Sequence, residues 1–116
     1  MAFSGSCHCG KISFDAMDDP QDALSCNCSI CRRKGSLLHF LSPERVQIHA
    51  SAGDTLVYTF NSHVIRHHFC KTCGCAPYAE GLTPAGTPII AINLRCADGI
   101  DLAQLKIKEF DGATLR

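Results

Sequence analysis

Seven of the nine cysteines in this 116-residue chain fall into three tight clusters: Cys7-His8-Cys9, Cys26-Asn27-Cys28-Ser29-Ile30-Cys31 and Cys70-Lys71-Thr72-Cys73. Two clusters carry two sulfurs and one carries three. Four thiolates close a tetrahedral zinc site, whereas three leave one coordination position for water or substrate. Two pairs and a triplet therefore predict two zinc ions per chain, one structural and one able to do chemistry. The odd cysteine count and the C-x-C and C-x-x-C spacings fit metal ligation better than a disulfide framework.

The clusters matter for stability because other core material is scarce. Apolar residues make up 46% of the chain, a figure that includes nine cysteines, and there is no tryptophan. Without cysteine roughly 38% remains, against about 45–50% in typical domains counted with Cys and Gly. Structural zinc contributes on the order of 10–16 kcal/mol of apparent binding energy, comparable to a whole domain's net stability. The length fits a single domain over residues 1–116.

Charge argues against some functions. Eleven basic and eleven acidic residues cancel, leaving no excess of positive charge to attract nucleic acid or an anionic membrane. No stretch approaches the eighteen or so apolar residues of a spanning helix, and Met1-Ala2-Phe3-Ser4-Gly5 has neither a charged leader nor an apolar run. The expected setting is reducing and cytoplasmic.

Short β runs separated by Gly, Pro, Asn and Asp organise the chain. Strands are expected over 11–14, 36–41, 46–49, 55–60, 64–69, 88–94 and 105–110, with a polar turn region over 15–23. Helix is expected only as a turn over 29–34 and another near 102–105. The fold class is mainly β, built of meandering antiparallel sheets.

Each paired cluster offers half a tetrahedron. In Phe69-Cys70-Lys71-Thr72-Cys73-Gly74 two sulfurs face one ion across a tight turn, and Gly74 can take the positive φ that turns backbone N–H groups toward the thiolates. Joining Cys7 and Cys9 to Cys70 and Cys73 is the economical pairing, and it closes a loop of about sixty residues. The triplet differs, because six consecutive residues wrap three corners of a tetrahedron. Ser29 is a candidate cap for the helical turn that follows, with Cys31 near its start, where a thiolate is favoured. Arg32, Arg33 and Lys34 come next. Their charge suits an anionic zinc–thiolate centre and can receive carboxylates of a small molecule, while the plainer reading is a solvated basic face. Alternatively, Cys75, Cys96 or His39 supplies a fourth ligand and closes the triplet as well. Cys75 and Cys96 are otherwise small core residues, or redox-sensing thiols if exposed and of low pKa. His67 and His68 fall on opposite faces of one strand, His8 reads as a solvent-facing spacer, and no histidine is assigned a role.

In order and spacing these motifs resemble the glutathione-dependent formaldehyde-activating enzyme family, which also includes centromere protein V. The likeness rests on Gly5-Ser6-Cys7-His8-Cys9-Gly10, on the run from Cys26 to Gly35, on Phe69 to Gly74, and on Ile92-Asn93-Leu94-Arg95-Cys96-Ala97-Asp98-Gly99. It implies a β-tent-like domain of small antiparallel sheets built around zinc. It implies that Cys7, Cys9, Cys70 and Cys73 hold a structural zinc and that Cys26, Cys28 and Cys31 hold a catalytic one. The implied activity is that of a carbon–sulfur lyase or synthase acting on thiol adducts of a small aldehyde, with glutathione and formaldehyde as the leading pair. Arg32 and Arg33 would then hold glutathione carboxylates. The alternative is a non-catalytic, zinc-stabilised binding module.

Overall fold

The computed structural model describes residues 2–115, which form ten strands, one single-turn α-helix and four short 3-10 helices, one of them (Leu102–Gln104) at the turn expected near 102–105. Three strands form a small sheet: β1 (Phe3–Ser6), β2 (Ser13–Ala16) and β5 (Val46–His49), in the order β1-β2-β5 and antiparallel throughout. Strand β2 has the alternation this requires, with Phe14 and Ala16 buried and Asp15 exposed.

The other seven form a larger sheet. They are β3 (Asp22–Cys26), β4 (Leu38–Leu41), β6 (Thr55–Tyr58), β7 (Arg66–Cys70), β8 (Tyr78–Leu82), β9 (Pro88–Asn93) and β10 (Lys106–Phe110), in the order β10-β3-β4-β9-β8-β7-β6. All neighbours are antiparallel except β10 and β3, which run parallel from Lys106 opposite Asp22 to Phe110 opposite Cys26. Helix α1 (Cys31–Lys34) is a single turn after β3.

The large sheet has two different faces. Ile90 and Ile92 of β9, Tyr78 of β8 and Leu41 of β4 pack with Ile12, Phe14 and Ala16 to form the hydrophobic core between the sheets. Strand β9 is covered on both sides, and its last four residues are all buried, as expected of a central strand. On the core side His68 stacks on Tyr78 with ring centroids 4.4 Å apart. Its Nε2 lies 2.5 Å from Glu80 Oε1, which also accepts from Arg66 Nη2 at 2.8 Å. The opposite face carries Ala79, Ala91, Leu38 and His67.

Several expected elements differ in place. The expected strand over 11–14 lies two residues later, because Cys7 to Ile12 form a loop around a sulfur cluster. Strand β3 occupies part of the expected turn region, and β1 and β8 were not expected. Each of these three is held by its pairing partners rather than by local propensity.

The small sheet is approached closely at Gly5 of β1, which bridges to Ala97 in the segment after β9. A Cβ at this position would lie 2.1 Å from Cys96 O and 2.7 Å from Ala97 Cα. Both obstacles are backbone and cannot rotate away. Gly5→Ala should therefore destabilise the fold by about 3 kcal/mol, the upper end of overpacking costs. Denaturant unfolding checks this, and an unchanged midpoint would refute it.

Candidate metal centres

The first pair lies in the loop after β1, and the second lies in the knuckle between β7 and β8. The fold brings all four sulfurs, of Cys7, Cys9, Cys70 and Cys73, within 4.8 Å of one another. Cys7 Sγ and Cys9 Sγ are 3.7 Å apart, and Cys9 Sγ and Cys70 Sγ are 3.5 Å apart. A zinc–sulfur distance of about 2.3 Å gives a tetrahedron edge of about 3.8 Å, whereas a disulfide would need about 2.05 Å. The donor set therefore has the spacing of a zinc-type centre.

Backbone amides are aimed at these sulfurs. Ile12 N–H donates to Cys7 Sγ at 3.4 Å, and the N–H groups of Thr72 and Cys73 donate to Cys70 Sγ at 3.3 and 3.4 Å. Gly74 has φ +78°, the conformation the knuckle requires. The N–H of Cys75, then that of Cys9, brings the Cys73 thiol down to about 5, and the N–H of Cys73 lowers Cys70. Cys9 goes the other way, to about 11. The N–H of Lys11 lowers it, but burial and the neighbouring Cys70, Cys7 and Cys73 thiols outweigh that bond. Without metal the cluster thus shares protons unequally, and a soft divalent ion would displace them.

The second centre gathers Cys26, at the end of β3, with Cys28 and Cys31. Their sulfurs also lie within 4.8 Å of one another, and among the described residues no fourth Cys, His, Asp or Glu donor joins them. Cys28 is fully buried, Cys26 nearly so, and Cys31 partly exposed. Burial pushes the Cys28 thiol up, but the N–H of Cys31 and the Cys31 and Cys26 side chains outweigh it, and the net shift is downward. Cys31 does begin α1, yet its thiol is raised to about 12 by burial and by the Cys28 and Cys26 sulfurs. A single helical turn cannot offset that crowding. Ser29 does not cap this turn: Ile30 precedes it, with no side-chain cap, and the Ser29 carbonyl accepts from Arg33 Nη1 at 2.7 Å.

The alternative fourth ligands lie elsewhere. His39 pairs with Asp18 at 2.8 Å and meets the Phe3 ring edge-on. Cys96 accepts from Asn93 Nδ2 at 3.8 Å, and burial raises its thiol to about 11, which does not suit a redox sensor. Cys75 supplies its backbone instead, with its carbonyl accepting from Cys70 N–H at 2.8 Å. His8 is exposed. Asn93 holds the downstream motif together: its Oδ1 accepts from the N–H groups of Leu37 and Arg95, and its Nδ2 donates to Ala76 O.

The segment after β10 closes over the triplet. Asn27 N–H donates to Phe110 O, its Nδ2 donates to Asp111 Oδ1, and its Oδ1 accepts from Ala113 N–H. Gly112 passes so near that a Cβ there would lie 2.5 Å from Cys26 Sγ.

Beside the triplet the large sheet encloses a chamber of about 120 Å³. Its polar lining is Cys26, Cys31, Lys34, Ser36 and His67. Lys34 Nζ lies 3.5 Å from His67 Nδ1. Burial lowers the Lys34 pKa, opposed by the Cys31, Cys28 and Cys96 sulfurs. Of the basic run, Lys34 therefore turns inward, while Arg32 and Arg33 are exposed. Arg33 faces Tyr58 and Phe60 across a cleft of about 310 Å³, and both arginines border a second of about 350 Å³ with Asn27 and Asn61. Phe60 also stacks on His67 at 5.9 Å, which links the clefts to the chamber wall. Nothing in the local sequence marks His67 for this position. Alternation separates it from His68 but does not say which face holds a cavity.

A model of the family described as glutathione-dependent formaldehyde-activating enzyme matches residues 2–110. A crystal structure of a Rhodobacter sphaeroides protein, 23% identical, shares the fold with a TM-score of 0.75 over 90% of this chain and 99% of that one. Among the described residues no helix is long and apolar enough to cross a membrane.

Proposed function

This chain belongs to the glutathione-dependent formaldehyde-activating enzyme family, and from that premise we propose that it is a zinc-dependent carbon–sulfur lyase or synthase. Its leading substrates are glutathione and formaldehyde, met in the cytoplasm, where nine thiols stay reduced. The observation that carries this reading is the triplet: three converging sulfurs with no fourth donor among the described residues, set in the wall of a chamber. Cys7, Cys9, Cys70 and Cys73 hold one zinc in a closed, structural set. Cys26, Cys28 and Cys31 hold the other in a set with room for an exogenous ligand. Bound there, zinc would supply Lewis acidity, favouring a thiolate or polarising a carbonyl.

The reaction is an addition without change of oxidation state. The thiol sulfur bonds to the carbonyl carbon, the C=O π bond opens, and the thiol proton ends on the new hydroxyl oxygen. The chain's own residues orient this step. Arg32 and Arg33 present guanidinium groups at the outer clefts for glutathione carboxylates, with Tyr58 and Phe60 as the facing walls. Lys34 and His67 bring polar groups to the chamber where the hydroxyl oxygen would form.

NMR exchange spectroscopy tests the reading directly. Cross-peaks between hydrated formaldehyde and S-hydroxymethylglutathione should grow when catalytic amounts of protein are added. No acceleration would remove these substrates and leave a zinc-stabilised binding module as the function.

A further inference from the structure

We propose that the aldehyde this site prefers carries an aliphatic tail of about three carbons, which the chamber beside the triplet receives. This rests on the thiol-adduct reading above and names the substrate class within it. Formaldehyde has no tail and needs no apolar chamber. Yet the chamber walls are Leu38, Ile65, Ala79 and Ala91, with Phe40 and Phe110 flanking them.

The hollow has a definite cause in the sheet. Ala79 of β8 and Ala91 of β9 are direct cross-strand partners, and both line the chamber. Two methyl side chains side by side leave a depression that Val or Ile, the usual occupants of central strands, would fill. Both alanines are more than nine-tenths buried, so the depression is covered rather than open to solvent. Phe40 and Phe110, also in the lining, are 43% and 41% exposed.

Size and polarity agree on the occupant. An apolar cavity of about 150 Å³ stays dry and takes up benzene, so 120 Å³ suits a tail of three to four carbons. The polar lining includes the triplet cysteines Cys26 and Cys31. Lys34, Ser36 and His67 are the other polar lining groups, and His67 is the cross-strand partner of Ala79. A ligand would therefore lie with its C–S bond and hydroxyl toward the sulfurs, Lys34 and His67 and its alkyl end toward Ala91, Leu38 and Ile65. The step remains the same addition, with butanal in place of formaldehyde: the C–S bond forms, the C=O π bond opens, and the thiol proton goes to oxygen.

S-alkylglutathiones are inert mimics of such adducts, and calorimetric titration of the zinc-loaded protein with the S-methyl and S-butyl forms reads the tail alone. Each buried methylene improves binding about fourfold, so S-butylglutathione should bind roughly 50-fold more tightly. Ala91→Val, which narrows the hollow, should collapse that ratio toward unity. Independently of glutathione, 1-butanol but not methanol should shift the Ala79 and Ala91 methyl signals in NMR. Equal affinity of the two mimics, or a ratio unchanged by Ala91→Val, overturns the proposal and leaves the thiol-adduct function standing. If neither mimic binds while 1-butanol still shifts both methyls, glutathione is the wrong thiol and the chamber assignment survives. If 1-butanol shifts neither methyl, the chamber assignment falls.

Discussion

Cys73→Ser should cost this protein its cooperative fold. The residue is partly exposed, so trading sulfur for oxygen there loses little packing. What it loses is one corner of the four-sulfur set that ties the loop after β1 to the knuckle after β7. Cys9 and Cys70 stand 61 residues apart in the chain, and closing such a loop costs on the order of 4 kcal/mol of entropy. Structural zinc supplies on the order of 10–16 kcal/mol of apparent binding energy, against about 5–15 kcal/mol of net stability in an ordinary domain. A core thin in apolar residues cannot absorb that loss. The expected result is a broad, non-cooperative thermal transition by circular dichroism and a fall from two zinc ions to about one per chain by elemental analysis. A sharp transition close to that of the wild type would show the four-sulfur set to be dispensable.

Cys28→Ser should do the reverse, leaving the fold and removing the chemistry. The triplet lies within six consecutive residues and ties down no long loop, so losing its metal releases little chain entropy. Cys28 is fully buried, and the serine hydroxyl would cost about 1–3 kcal/mol, enough to lower the melting temperature without abolishing the transition. Lewis acidity at the open position is worth several kcal/mol of barrier, so exchange between the aldehyde and its thiol adduct should slow about a thousandfold. Zinc content should fall from two to one. Equal collapse of both variants would mean two structural centres and no catalytic one.

The sulfur clusters were legible because their information is local: C-x-C, C-x-x-C and the six-residue triplet fix geometry within a few bonds. The positive φ of Gly74 and the amides aimed at Cys70 were readable for the same reason. Strands β3 and β8 were not. Asp22-Ala-Leu-Ser-Cys follows an Asp-rich turn, and Tyr78-Ala-Glu-Gly-Leu holds weak strand formers. Both become strands because they are paired on either side: β8 with its chain neighbours β7 and β9, and β3 with β4 and, far along the chain, with β10. The chamber was hidden too, since it depends on Ala79 falling opposite Ala91, a register that no single segment states. The inward turn of Lys34, against the outward Arg32 and Arg33, depends on where the sheet face lies relative to one turn of helix.

The parallel pairing of β10 with β3 has a consequence in time. The triplet loop is complete in itself once residue 31 has been made, but the residues that roof it, 110–113, contact Asn27 from 84 and 86 positions away. Contacts that distant form late, because loop closure precedes any reward. A growing chain thus displays its three thiols bare and unroofed until residues 110–113 have been made. The ion captured during that interval is chosen by what the surroundings supply and by thiolate preference, before the finished fold has any say in the matter.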